Sequence, residues 1–217
     1  MRCAALLLIG SALTACGGRI GYALRPETVR NCRPQSIRLA VASFEDGRPD
    51  EEKDFNERVR LVGDDEAKGF TNFSGDGVAP KISDVVAKHL SCAGCFGQTD
   101  RVDLASDESL DFLKRDIKKL AANYDAVMIG RVTHLWGFQG TTTGGDRRVV
   151  KAQAQMTDLK IIRTKDLKMI WSGSVNASVD ELESNRAGNQ YRIANETLRD
   201  ALNKMVQDLN KQRLPAR

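Results

Sequence analysis

Aromatic residues make up only 6% of the 217 residues, histidine occurs twice, and no apolar run approaches the ~20 residues that a membrane-spanning helix needs. Lys and Arg exceed Asp and Glu by only 33 to 29, a formal charge of +4 that is too small to mark a nucleic-acid-binding surface. Two histidines and five cysteines leave few parts for metal or nucleophile chemistry. A hydrophobic content of 41% nevertheless suffices for a packed core, which excludes disordered, collagen-like and coiled-coil chains.

The first residues carry an address. Arg2 supplies a positive start, Ala4 to Leu13 form a short apolar stretch, and Cys16 follows at once. Leu13-Thr14-Ala15-Cys16 is similar to the bacterial lipobox, which implies cleavage before Cys16 and acylation of that cysteine. Several acyl chains give stable attachment where one is marginal, since each buried CH₂ adds about 0.8 kcal/mol. Gly17 stands where an Asp would resemble an inner-membrane retention signal, so the expected site is the periplasmic face of the outer membrane. Residues 1–15 are expected to be a signal peptide, and 16–36, with Gly17, Gly18, Gly21, Pro26 and Pro34, a tether without hydrophobic period.

Export places Cys32, Cys92 and Cys95 in an oxidising compartment, where three thiols allow one bridge and leave one over. Cys92-Ala93-Gly94-Cys95 is a C-x-x-C, but it falls at the carboxyl end of an expected helix, where the helix dipole opposes a thiolate. A structural disulfide, Cys92–Cys95 or one of the two with Cys32, is the main expectation; a thiol-disulfide redox protein is the enzymatic alternative. Zinc would need a second pair of ligands, and His89 is a lone candidate on a helix shoulder.

Residues 37–211 read as a single α/β domain followed by a short tail, 212–217. Ile37 to Phe44 forms a strand with Leu39 and Val41 on one face. Residues 45–77 then form a long acidic insertion of eleven acids and five bases, with a hairpin suggested near Val59–Val62 and Phe70–Phe73. Helical spacing follows Pro80 at Ile82, Val85, Val86 and Leu90. A strand is expected at Arg101 to Ala105. Ser106 or Ser109 caps a helix carrying Leu110, Leu113, Ile117 and Leu120. Three strands follow, at Asp125 to Phe138, Arg147 to Ile162 and Leu167 to Val179, with turns at Gln139–Gly145 and Thr164–Asp166. A last helix, Ala187 to Lys211, carries Ala194, Leu198, Ala201, Leu202, Met205 and Leu209 on one stripe.

Val150, Ala152, Ala154 and Met156 alternate with Lys151, Gln153, Gln155 and Thr157, as Met169, Trp171, Val175 and Ala177 do with Ser172, Ser174, Asn176 and Ser178. Such alternation belongs to a sheet packed on one side and wet on the other. The expected fold is therefore a two-layer α/β sandwich, β-α-β-α-β-β-β-α, with a mixed sheet and its helices on one face. The phase changes near Asp158, as a β-bulge would require. Gln153, Gln155, Ser172, Ser174 and Asn176 are the candidate partner-binding residues on the polar face, with Asp50 and Glu51 in the acidic segment. Trp136 and Phe138 either seal the core or form an exposed aromatic contact. His134 lacks a flagged acid and nucleophile for a triad.

Phe44-Glu45-Asp46-Gly47-Arg48, a helix ending in Cys95-Phe96-Gly97, and Tyr124-Asp125-Ala126-Val127-Met128-Ile129-Gly130-Arg131-Val132 resemble the domain shared by TolB amino-terminal, curli-secretion and penicillin-binding-protein-activator lipoproteins. Asp158-Leu159 and Ile170-Trp171-Ser172-Gly173 are similar to later strands of that group, and YajG-like lipoproteins share a long polar insertion after the first strand. The resemblance implies a non-enzymatic, cofactor-free periplasmic module that docks on an envelope protein or assembles with itself, without a catalytic residue; a passive structural lipoprotein is a further alternative. Curli-type pores use long amphipathic hairpins, whereas the Gln139–Arg148 reversal is short and polar.

Overall fold

The structure, a computed structural model, describes residues 32–54, 77–104, 110–141, 148–182 and 190–212. The elements in chain order are β1 (Gln35–Val41), β2 (Glu45–Asp46), α1 (Asp50–Lys53), α2 (Val78–Ala93), β3 (Phe96–Arg101), α3 (Leu110–Lys119) with a 3-10 turn at Leu120–Ala122, β4 (Ala126–Thr141), β5 (Arg148–Arg163), β6 (Met169–Leu182) and α4 (Gln190–Lys211). They form a mixed six-stranded sheet of order β3-β1-β4-β5-β6, with β2 continuing beside β4 where β1 ends. The α/β class and the mixed sheet are those expected. The expected signal peptide 1–15, the part of the expected tether 16–36 up to residue 31, the suggested hairpin at 59–73 and the Ser106 and Ser109 caps lie outside the described residues.

Two strand types share the sheet. β1 runs parallel to β3 and β4, pairing Leu39 with Ala126 and Val41 with Met128. β4, β5 and β6 form a long antiparallel meander, reaching Thr141 opposite Arg148 and Val149 opposite Leu182. The bulge sits where the alternation slips: pairing shifts between Met156 and Leu159, and Asp158 takes a φ of 51°, a left-handed conformation that Asp tolerates better than branched residues do.

The principal core lies between the sheet and α2 with α4. Ile82, Val86 and Leu90 share one core cluster with Leu39, Val41, Met128, Met156, Leu159 and Ile161, all essentially inaccessible, and Leu198, Leu202, Met205 and Leu209 complete it. Trp171 adds its ring to this core and donates its indole N–H to Asp208 Oδ2 on α4 at 3.2 Å.

Two placements differ from expectation. α3 does not join α2 and α4: Ile117 packs with Ala40, Ala42 and Val127, the alternate residues of β1 and β4, on the other side of the sheet. The sandwich is thus two-layered over β5 and β6 and gains a third layer over β1 and β4. The physical reason is visible in those strands, which are apolar on both faces, Leu39 to Ala42 and Ala126 to Met128 all being buried. β3 also starts five residues earlier than the expected Arg101. Gly94 ends α2 in a left-handed conformation (φ 68°), its N–H bonding back to Ser91 O at 3.1 Å, so the chain turns directly into β3 at Phe96. The helix therefore stops before Cys95 instead of running on through Gly97.

Candidate functional site

β5 and β6 bring the polar candidates together. Inward, Val150, Ala152, Ala154, Met156, Val175 and Ala177 are buried. Outward, Gln153 stands opposite Ser178, Gln155 opposite Asn176, and Lys160 opposite Ser172; Ser174 lies beside the Asp158 bulge. Ser172, Ser174 and Asn176 are exposed and the two glutamines half-buried. With strands about 4.8 Å apart, these amides and hydroxyls form a nearly neutral array of donors and acceptors. Lys151 and Asp180 border it as an ion pair at 3.5 Å.

β4 adds two aromatic rings. A second pairing shift, between Val132 and His134, turns Leu135 and Gly137 inward and leaves Trp136 and Phe138 half-buried on the outer face, opposite Gln153 and Lys151. Phe138 lies over Gly140, where a Cβ would stand 2.5 Å from its Cζ. The pair therefore belongs to the polar face and does not seal the core. A half-buried Trp and Phe beside flexible amides are suited to contact with another protein.

The acidic candidates are elsewhere. Asp50 and Glu51 are exposed on α1, with Asp50 4.0 Å from Lys53. α1 meets β4 through Glu52: one oxygen lies 2.5 Å from His134 Nδ1 and the other accepts the Leu135 N–H at 3.0 Å. Asp50 and Glu51 thus mark the start of the acidic segment and are not part of the β5–β6 array. Among the described residues no serine or cysteine hydrogen-bonds His134, so the carboxylate–imidazole pair clamps α1 to the strand.

Phe44-Glu45-Asp46-Gly47-Arg48 is a second fastening at the same end. The Arg48 side chain is fully buried and donates to both Asp46 oxygens, at 2.9 and 2.7 Å. Burial raises the Asp46 pKa, but the Arg48 hydrogen bonds and charge outweigh it and hold the carboxyl below its ordinary range. Gly47 donates to Val132 O at 2.9 Å, and the Arg131 guanidinium occupies the space a Cβ would need on its way to Glu45 at 3.1 Å. Neither the clamp nor buried Arg48 was identified from sequence. Glu52 and His134 are 82 residues apart, and nothing local connects them.

The cysteines resolve the open pairing. Cys32 is bonded to Cys95 with their Cα atoms 4.7 Å apart, and Cys92 is exposed and free on the last turn of α2. The Gly94 cap sends Cys95 inward and leaves Cys92 outside. His89 is not on a shoulder; it is fully buried and hydrogen-bonds Asn203 on α4. Burial, aided by the Arg199 charge, depresses its pKa to about 4, so the imidazole is neutral at pH 7.

A cavity of about 480 Å³ opens where β1 and β4 begin, lined by Ile37, Ala126 and Ile170 with Asp125, Arg163 and Lys165. Asp125 is held there by Arg38, whose backbone N–H and Nε both donate to Oδ2, at 2.9 and 3.3 Å.

No model of a known protein family matches the sequence, and no curated protein does. Among solved structures the chain is similar to protein XCC0632 of the DUF330 family from Xanthomonas campestris, at TM-score 0.47 and 10% identity over 84% of this chain and 91% of that one. It is also similar to the PelC dodecamer subunit from Paraburkholderia phytofirmans, at TM-score 0.42 and 11% identity over 80% and 90% of the two chains. Lipoprotein GNA1162 from Neisseria meningitidis follows at 0.34 and 16%, over 78% and 98%. Overlaps of this size leave the reading of the protein to its own residues.

Proposed function

We propose that the protein is a lipid-anchored, non-enzymatic module on the periplasmic face of the outer membrane, which binds an envelope protein through the outer face of β5 and β6. The observation that carries this reading is the one-sided cover of those strands. Gln153, Gln155, Ser172, Ser174 and Asn176 lie in one plane with Trp136 and Phe138 at its border, and no described helix covers them. The lipobox-like Leu13 to Cys16 supports the anchor. The thiol-redox alternative has lost its geometry, because Cys95 is engaged with Cys32 and Cys92 stands apart.

Photo-crosslinking in cells from Gln153 and Ser174, with exposed Lys88 on α2 as control, tests the docking face. A discrete envelope-protein adduct from the two sheet positions and none from Lys88 is the expected outcome. Adducts of equal yield from all three positions, or none from the sheet, would sink the proposal. The mass of the amino-terminal peptide reads acylation of Cys16 independently.

A further inference from the structure

The end of the domain opposite α1 has its own chemistry. Four bonds gather its parts: Cys32 N–H to Ala93 O at 2.8 Å, Arg33 N–H to Asn210 Oδ1 at 2.6 Å, Asp125 N–H to Arg38 O at 2.9 Å, and Thr164 N–H to Asp125 O at 3.1 Å. The start of β1, the carboxyl ends of α2 and α4, the start of β4 and the β5–β6 turn therefore share one base, and the carboxyl end of α3 leads into it through the 3-10 turn. Arg33, Lys118, Lys165, Lys168 and Lys211 are all exposed there. The acids of this base are already engaged: Asp125 with Arg38, Asp166 with Arg163 at 3.0 Å, and Asp208 with the Trp171 indole at 3.2 Å. Met169, directly after Lys168, is 53% exposed and is the one large exposed hydrophobic side chain among the described residues.

The tether enters at this base. Cys32 is fixed there by its disulfide, and residues 17–31 are all that separate it from Cys16. Even fully extended, the chain from Cys16 to Cys32 reaches no more than about 55 Å, so an acylated Cys16 confines the base to the neighbourhood of the bilayer. We infer that the base of the domain, with Arg33, Lys118, Lys165, Lys168 and Lys211 around Met169, docks on the anionic headgroups of the membrane that carries the anchor. The inference rests on the anchor in the proposed function but not on the β5–β6 face. The cations meet lipid phosphates, Met169 enters the headgroup boundary, and the exposed acids Asp50 and Glu51 of α1 lie at the other end of the sheet, away from like charge. Each contact is weak, and the anchor makes them effective by confining the base to the surface.

Met169 is also the reporter, because Met128, Met156 and Met205 are at most 1% exposed and serve as internal references. The acylated full mature chain is placed on vesicles of phosphatidylcholine alone or with phosphatidylglycerol, and hydroxyl-radical oxidation of each methionine is read by mass spectrometry. On the anionic vesicles Met169 oxidation is expected to slow at least about threefold. High salt should restore it, as should the pair Lys165→Glu and Lys168→Glu, since one cation at such a surface is worth about fivefold in binding. The milder pair Lys165→Gln and Lys168→Gln should restore it in part if the reversal disturbs folding. Equal oxidation on both vesicles would overturn the inference, as would protection that follows protein density regardless of lipid charge, which would identify a second copy as the occupant. An unacylated Cys16 in the chain isolated from its own cells, read by mass before any vesicles are prepared, would instead remove the anchor reading, so the two failures are separable.

Discussion

Where β1 and β4 run side by side the sheet is covered from both faces, and where β5 and β6 do so it is covered from one. The residues of the first region are apolar at every position, Leu39 through Ala42 and Ala126 through Met128, and each is essentially inaccessible. Those of the second alternate, with buried Val175 and Ala177 between exposed Ser174, Asn176 and Ser178. The parallel region is a foundation in which every side chain is committed to packing. The antiparallel region leaves half of its side chains for something outside the fold.

The sharpest way to break this contrast is to place the same charge on the outer side of each region. Val127→Asp puts a carboxylate beneath α3 with no partner and should abolish cooperative folding, read as loss of the near-ultraviolet circular dichroism. Removing the bridge that pins the start of β3 to the chain before β1, by Cys32→Ser, should cost about 4 kcal/mol in denaturant unfolding, because the Cys32–Cys95 bond closes a loop of 63 residues. A deficit under about 1 kcal/mol would mean that the backbone bonds around Cys32 hold the base unaided.

A pH titration should come next in size. Buried His89 has a folded pKa near 4 against an ordinary 6.5, so between these values the unfolded chain takes up a proton that the folded chain refuses. Its contribution is complete above pH 6.5 and falls by up to about 3 kcal/mol as pH drops towards 4. Urea midpoints at pH 7 and pH 4.5 measure the loss, and His89→Gln should shrink the difference between them. The smallest effect belongs to the counterpart of the first substitution: Ser174→Asp should stay within about 0.5 kcal/mol of the parent while reducing any adduct formed from Gln153.

Much of the packing was legible because it is local and periodic. Ile82, Val86 and Leu90, and likewise Ala194, Leu198, Ala201, Leu202, Met205 and Leu209, lie on the stripes their spacing indicates, and the bulge at Asp158 follows from one slip in alternation. The side taken by α3 was not legible from its own pattern, because an amphipathic helix fits either face; the signal lay in the strands it covers, apolar on both sides. β3 was expected too late in the chain, at Arg101 to Ala105, since Phe96 is its one buried residue and its strand state comes from pairing with β1. The polar array on β5 and β6 was readable as a face, but the contribution of Trp136 and Phe138 depended on a pairing shift at Thr133 and His134 that no repeat in β4 announces. The Glu52–His134 clamp and the choice of Cys32 as the partner of Cys95 join residues distant in sequence and emerge only when the chain is folded.

The disulfide has a covalent meaning as well as a mechanical one. Cys32 and Cys95 close a ring of chain, and the whole acidic segment lies inside it. A protease that cuts once anywhere in residues 55–76 opens the ring without dividing the molecule: the amino-terminal piece and the remaining strands stay joined through sulfur. Such a nicked protein would run as two fragments on a reducing gel and as one without reductant.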